Sequence, residues 1–480
     1  MRLHIIRLIG SQFVTSIFKG RALYPLAGIM LLLLLFASIS GYNYYQQNTY
    51  RIHHQEEARE SWEANPDKHP HRMAHFGTFA FRVKNPLSIF EFGLESYVGN
   101  AVFLEAHKQN MVNFSEASFS TGLLRFGELS MATILQLLLP LIIFFLGYTT
   151  IVSERENGTL KIFLTQGASW KEILLGKSLG LFRVAMLFTL PFLLGLLFML
   201  IVAGDDSPDV WLRFGLVVSV YICFIIAVCM TSVLVSARST SSRQALVKLL
   251  GLWLLMVVLM PKAAQAVGSY IYSAPNKIAF KSAIEKEVIK TGDSHDPFDP
   301  YFAALRDSVL EVHQVDSVTH LPFNYGGFIM GEGEKLSAKI YNKHHDQLLA
   351  QYRKQNQLTR YLAFLNPYLA IKNVSMALSA SDFNAYVAFQ QQAEAYRYEM
   401  AQKMNYLQME FISSSKVSGS EGKVFVIDRK EWKAFPDFTY QQISLVESLK
   451  QEWLSLLSIV FWIGFTTLML FSYSKKANAI

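Results

Sequence analysis

The stretch that decides the fold runs from Met131 to Val202: MATILQLLLPLIIFFLGYTTIVSERENGTLKIFLTQGASWKEILLGKSLGLFRVAMLFTLPFLLGLLFMLIV. It opens and closes in apolar runs, 131–152 and 179–202, each about as long as the 20 or so residues a helix needs to cross a bilayer core. Backbone polar groups find no partner in hydrocarbon, so such runs span it as helices. The intervening 153–178 is polar and short, which makes the whole stretch two spans joined by a hairpin.

The hairpin can be read residue by residue. Ser153, Glu154, Arg155 and Glu156 form a charged collar where the first run ends. Asn157-Gly158 breaks the helix, because both residues accept positive φ. A short helix is predicted from Thr159 to Gln166, with Leu160, Phe163 and Leu164 on one side, and Gly167 ends it. Ser169 and Glu172 have capping-box spacing, so a new helix starts at Trp170 and enters the next span through Gly176, Lys177 and Gly180. Gly176-Lys177-Ser178 is no phosphate-binding loop: Lys171 stands where the motif needs its first Gly, and no strand precedes it.

Outward from the hairpin, 23–42, 214–235, 246–267 and 454–473 also qualify as spans, giving six. Lys248 and Lys262 near the ends of 246–267 are placed to snorkel to the interface. The composition agrees: of 480 residues, 51% are hydrophobic and only 17% charged, against about 25% charged in soluble domains. The expected fold class is an α-helical polytopic membrane protein with six transmembrane helices. The run in 23–42 could also be a signal peptide with Ser38 and Ser40 near its processing site, but it exceeds the usual apolar length of about 7–15 residues.

Lys and Arg in short flanks mark the cytoplasmic side. They fall at Arg2, Arg7, Lys19 and Arg21; at Arg155, Lys161, Lys171 and Lys177; at Arg238 and Arg243; and at Lys475 and Lys476. This puts both termini inside. The cytoplasmic pieces are then an interfacial helix in 1–22, the hairpin 153–178, a loop 236–245 and the tail 474–480. The net charge of +7 is thereby explained by topology, which argues against nucleic acid as a partner. Outside lie a short loop, 203–213, and two inserts, 43–130 and 268–453. Both inserts are too long for unstructured connections, so they are expected to build one mostly helical extracytoplasmic domain. Helical spacing is clearest at Leu336–Phe364 and Ser381–Phe411, and a strand is expected at Lys423–Asp428.

Within this hairpin the sequence resembles the permease subunits of ABC-2 type ABC transporters. Their second span ends in a Glu-Arg-Glu-x-Gly-Thr-Leu motif followed by a basic helix and a Gly-Lys, here Glu154, Arg155, Glu156, Gly158, Thr159 and Leu160, then Gly176 and Lys177. The resemblance implies that Thr159 to Gln166, including Phe163 and Leu164, seats in a groove of an ATP-binding subunit. PLSIFEFGLESYVGNAVFLEAHKQN from Pro86 and NPYLAIKNVSMALSASDFNAYVAFQQQAEAYRYEM from Asn366 resemble the inserts of a bacterial branch with a domain of uncharacterised function, DUF3526-like. The resemblance does not extend over Asp293 to Gly333, and it implies the machine rather than the cargo.

On that resemblance the chain is a multi-pass inner-membrane subunit, an exporter by family expectation. It is not itself an enzyme and binds no cofactor. Its partners would be two ATP-binding subunits carrying ATP and Mg, and a second permease copy, identical or homologous. An envelope anchor or force-transmitting scaffold with the same ATP-binding partner is the alternative. Arg183, in the third span, is a candidate residue of the path. A membrane enzyme would need a metal, and His69, His71 and His75 are the candidate ligands, weakened by Pro70 within the group. The aspartates of 293–302 lack the spacing of a calcium loop and read as turns.

Overall fold

The computed structural model describes residues 1–111, 128–412 and 425–476. Among these, six helices are long and apolar enough to cross a membrane. They are α2 (Leu23–Glu63), α4 (Met131–Glu156), α6 (Trp170–Ala203), α7 (Pro208–Arg238), α8 (Ser242–Ile271) and α15 (Trp453–Lys476). Helices α4, α6 and α7 form the middle of the bundle, with Leu139, Ile143, Val184, Phe192, Val217 and Ile225 shut off from solvent. Helices α2 and α8 lie outside and leave more than half of Leu32, Phe36, Val247 and Leu259 uncovered. Such apolar faces are stable against lipid and not against water. The protein is thus multi-pass.

The helices outrun the apolar windows that betray them. Helix α2 continues past Tyr42 to Glu63 because 43–63 holds neither Gly nor Pro to stop it. Helix α8 holds a wide π-helical stretch, Leu254–Leu259, before Pro261. Pro261 has no N–H, which leaves the Met256 carbonyl five residues back without its helical donor. Asn366 Nδ2 donates to that carbonyl at 2.7 Å.

At the end of the bundle that holds both termini, α1 (Leu3–Lys19) lies against the start of α6. Ile6, Ile9, Gly10 and Phe13 are its buried stripe. The two backbones touch across Gly10, Gly176 and Gly180: a Cβ added at Gly180 would sit 2.8 Å from the Gly10 carbonyl. The Gly-Lys pair in the sequence is therefore a packing site as well as a charge.

The opposite end carries the two inserts. The first supplies α3 (Pro70–Phe76) and the antiparallel hairpin of β1 (Thr78–Phe81) with β2 (Ala101–Leu104), Thr78 opposite Leu104. The second supplies α9 (Lys277–Thr291), α10 (Pro300–His313), α11 (Tyr325–Leu362), α12 (Pro367–Leu378), α13 (Phe383–Phe411) and α14 (Leu445–Gln451). The inserts share a core in which Trp62, Met73 and Leu104 meet Phe389, Met400, Met404 and Trp432. Of the periodic residues of this helix, Phe389, Ala393, Met400 and Met404 are fully buried and Tyr396 is partly buried against the same core.

The strand expected at Lys423–Asp428 does not form over its described part. Ile427 makes a single antiparallel bridge with Lys68, with N–H···O distances of 3.1 and 3.3 Å, while 423 and 424 lie outside the described residues. The partner runs out, because Pro70 cannot donate and opens α3 two residues later. The aspartates of 293–302 form local turns and a cap: Asp293 accepts from the His295 N–H, and Asp299 from Phe302 at the start of α10.

Candidate functional site

The hairpin between α4 and α6 carries a short helix, α5 (Thr159–Thr165), isolated by two glycines in the left-handed region, Gly158 at φ +75° and Gly167 at φ +85°. Nothing lies within 4 Å of a Cβ added at either one, so backbone conformation and not crowding demands glycine there. The Ser169–Glu172 capping box opens α6. Arg2 reinforces it: its backbone N–H donates to Glu172 Oε1 at 2.7 Å and Nη2 to Oε2 at 2.8 Å, fixing the chain's start to the hairpin.

The three charges of the collar each hold a different helix. Glu154 pairs with Lys177 of α6, and both side chains are largely buried. Arg155 donates to the carbonyls of Ala237 at 2.9 Å and Ser239 at 2.6 Å, closing the C-terminal end of α7, and to the Tyr473 hydroxyl of α15 at 3.2 Å. Glu156 accepts from the backbone N–H of Ser242 at 2.8 Å and from its hydroxyl, at the N-terminus of α8. The cation sits at a helix C-terminus and the anion at a helix N-terminus, so each meets the favourable end of the helix dipole. Thr159 Oγ1 donates to the Glu154 carbonyl at 3.2 Å.

Helix α5 is thereby a two-sided element. Leu160 is 1% exposed, and Phe163 and Leu164 pack beside it on the bundle. Lys161, Ile162, Thr165 and Gln166 face outward, with Ile162 53% exposed. Sequence reading marked the inward residues. On the outward face Ile162 was missed, although its position two after Leu160 puts it on the opposite side of the helix.

A second polar group lies at the other end of the bundle, where both insert signatures dock. Leu87 and Phe90 from the first, and Leu369, Ile371 and Val374 from the second, belong to the same core as Met131 and Tyr221. Gln136 Nε2 donates to Glu91 at 2.9 Å and to the Tyr221 hydroxyl at 2.6 Å. That hydroxyl lies 3.0 Å from Ser375 Oγ, and Lys372 Nζ 3.4 Å from Glu91. Arg213 is completely buried and donates to the Ala377 and Leu378 carbonyls that end α12, at 3.1 and 3.2 Å, and to Ile443 O at 2.6 Å. None of these residues stood out in the sequence, where each is a single polar residue in an apolar or insert context. Arg183 does not join them: its guanidinium bonds Ser11 Oγ of α1 at 3.1 Å, at the opposite end.

The histidine candidates divide. His69 caps α3, its Nδ1 accepting from the His71 N–H at 3.2 Å. His71 and His75 share a face of α3, with ring centroids 4.6 Å apart, and His107, from the end of the first insert signature just after β2, stands 5.5 and 5.3 Å from them. His107, distant in the chain, stood outside the candidate ligands, and the pairing of β1 with β2 brings it back to α3. Its Nδ1 is 3.3 Å from Glu334 Oε2, and Arg397 Nη2 donates to Glu334 Oε1 at 2.6 Å. Burial would raise the Glu334 carboxyl, but the His107 bond and the Arg397 charge outweigh it and hold it at about 2. Burial, followed by the neighbouring imidazoles, pushes His71 down to about 4.

Residues 277–441, from α9 through α13 and on to the segment that precedes α14, match a family model described as a domain of unknown function, DUF3526. No curated protein matches the chain.

Proposed function

We propose that this chain is the membrane-spanning subunit of an ABC-2 type transporter, with α5 as the surface gripped by an ATP-binding subunit. One observation carries the reading: the turn that bears α5 is bonded at once to α6 through Lys177, to α7 and α15 through Arg155, and to α8 through Glu156. A displacement of α5 therefore moves four spans together, as a rigid lever between a nucleotide-driven partner and the path requires. The outward residues Lys161, Ile162, Thr165 and Gln166 offer an apolar centre with a polar rim, the usual composition of a contact surface.

In this reading both termini, α1 and α5 are cytoplasmic, and the unit built by the inserts lies outside the inner membrane. ATP and Mg belong to the partner, present in two copies beside a second permease copy. The Glu91, Gln136, Tyr221 and Lys372 group closes the outer mouth of the bundle in the state described. Substrate moving outward would have to part α12 from α4 and α7 at that point.

The test is co-purification of the native complex. Ile162→Asp places a charge in the middle of the surface without touching Leu160, so it should separate the ATP-binding chain from this one while the size-exclusion profile of this chain stays as before. Retention of the ATP-binding chain at full stoichiometry by Ile162→Asp would refute the reading.

A further inference from the structure

Three imidazoles meet in the insert unit. One potential ligand atom each from His71, His75 and His107 lies within 4.8 Å of the other two. Helix α3 presents the first two at i and i+4, hence on one face. The third is brought over by the backbone bond from Ala106 N–H to the Ala74 carbonyl, 3.1 Å. His107 itself has φ +62°, a left-handed conformation that a residue with a Cβ adopts at a cost. Strain of that kind is retained where the side chain's position matters.

The nitrogens tell more. His107 Nε2 and His71 Nδ1 are fully buried, and neither makes a hydrogen bond. An unmade bond on a buried polar atom costs about 1–3 kcal/mol, so such atoms normally find partners. On the far side of the His107 ring, Nδ1 faces the fully buried Glu334 carboxylate at 3.3 Å, itself held by Arg397. A carboxylate on Nδ1 fixes that nitrogen as the protonated one and leaves Nε2 with a free lone pair, the arrangement found behind metal-bound histidines.

We propose that His71, His75 and His107 form a mononuclear site for Zn²⁺. Neutral imidazoles suit borderline divalent ions of this class. Tetrahedral Zn–N bonds of about 2.0–2.1 Å put ligand nitrogens about 3.3–3.4 Å apart. The cluster needs to contract by at most about 1.5 Å at its widest pair, and His75, which is exposed, is free to turn inward. Three protein ligands leave a fourth position. The His107 wall gives onto an adjoining cleft of about 400 Å³ lined by Gly292, Asp293, His295 and Gly333, with His295 edge-on to His107 at 4.9 Å. The ion can enter from that side, and His295 or solvent can complete the shell. Bound there, Zn²⁺ would tie α3 and the β2 segment of the first insert to the Asp293–His295 turn of the second.

The experiment uses the full-length chain in detergent, stripped with chelator and titrated with Zn²⁺ against a competing chelating dye. One Zn²⁺ per chain is expected, with affinity reduced at least tenfold in His71→Ala and in His107→Ala. His53→Ala, on exposed α2, should bind as the unaltered chain does. His75→Ala, which removes a surface side chain and leaves the half-buried His71 and His107 packed, should show the same loss even if the other two variants do not fold. No Zn²⁺ uptake by the unaltered chain, or equal affinity in His75→Ala and the unaltered chain, would overturn the assignment.

Discussion

The guanidinium of Arg155 donates to the carbonyl of Ser239 at 2.6 Å, so a residue that ends one membrane helix finishes another. It also reaches Ala237 and the Tyr473 hydroxyl, and no shorter or unbranched cation makes all three bonds from one position. Arg155→Ala should lower the stability of the bundle by about 2–3 kcal/mol, the usual cost of losing bonds from a charged donor to buried acceptors. Arg155→Lys should recover only part of it. Unfolding midpoints in detergent measure both.

The contact of α1 with α6 depends on glycine. A Cβ at Gly180 would lie 2.8 Å from the Gly10 carbonyl and 2.9 Å from Phe13 Cδ1. Gly180→Leu should therefore detach α1 without unfolding the bundle, since the new side chain points out of the α4–α6–α7 core. The rate at which Phe13→Cys reacts with a soluble thiol reagent should rise at least tenfold in the Gly180→Leu background.

Tyr221 is a spanning-helix tyrosine whose hydroxyl serves Gln136 and Ser375. Tyr221→Phe keeps the ring against Phe90, centroids 5.3 Å apart, and removes only the hydroxyl. The expected cost is about 1–3 kcal/mol from the polar atoms left buried and unpaired. Restoring those atoms' freedom with Gln136→Leu in the same chain should make the loss from the double substitution less than additive, which denaturant unfolding of the four chains will show.

Arg213 holds α12 to the start of α7 from a fully buried position. Arg213→Met matches its bulk and removes its bonds to Ala377, Leu378 and Ile443. The docking of α12 should loosen, and amide exchange in 367–378 should accelerate by at least tenfold while that of α4 stays unchanged.

The sequence made the bundle legible because a span announces itself locally: about 20 apolar residues have one stable conformation in hydrocarbon. The hairpin was legible for the same reason, since Gly158, Gly167 and the Ser169–Glu172 box each act within four residues. What escaped was everything joined across the chain. Glu91 and Gln136 are ordinary polar residues until folding places them 2.9 Å apart, and Arg213 looks like a boundary charge until Ala377 and Ile443 arrive. The histidines show the division sharply. Helical spacing pairs His71 with His75, but only the pairing of β1 with β2, strands separated by the long 82–100 connection, returns the chain to add His107.

If α5 is the surface of contact with an ATP-binding partner, Ile162 lies against that partner in the native complex, where cross-linking can reach it. A photoreactive residue at position 162 of the native complex, irradiated in membranes, should yield a cross-linked peptide from a protein that carries a Gly-x-x-x-x-Gly-Lys-Ser/Thr phosphate loop. The same probe at Arg243, exposed near the same end of the bundle but off α5, should give much less of it. Cross-links from 162 that reach only lipid, or that reach the ATP-binding protein no more than those from 243, would contradict the account.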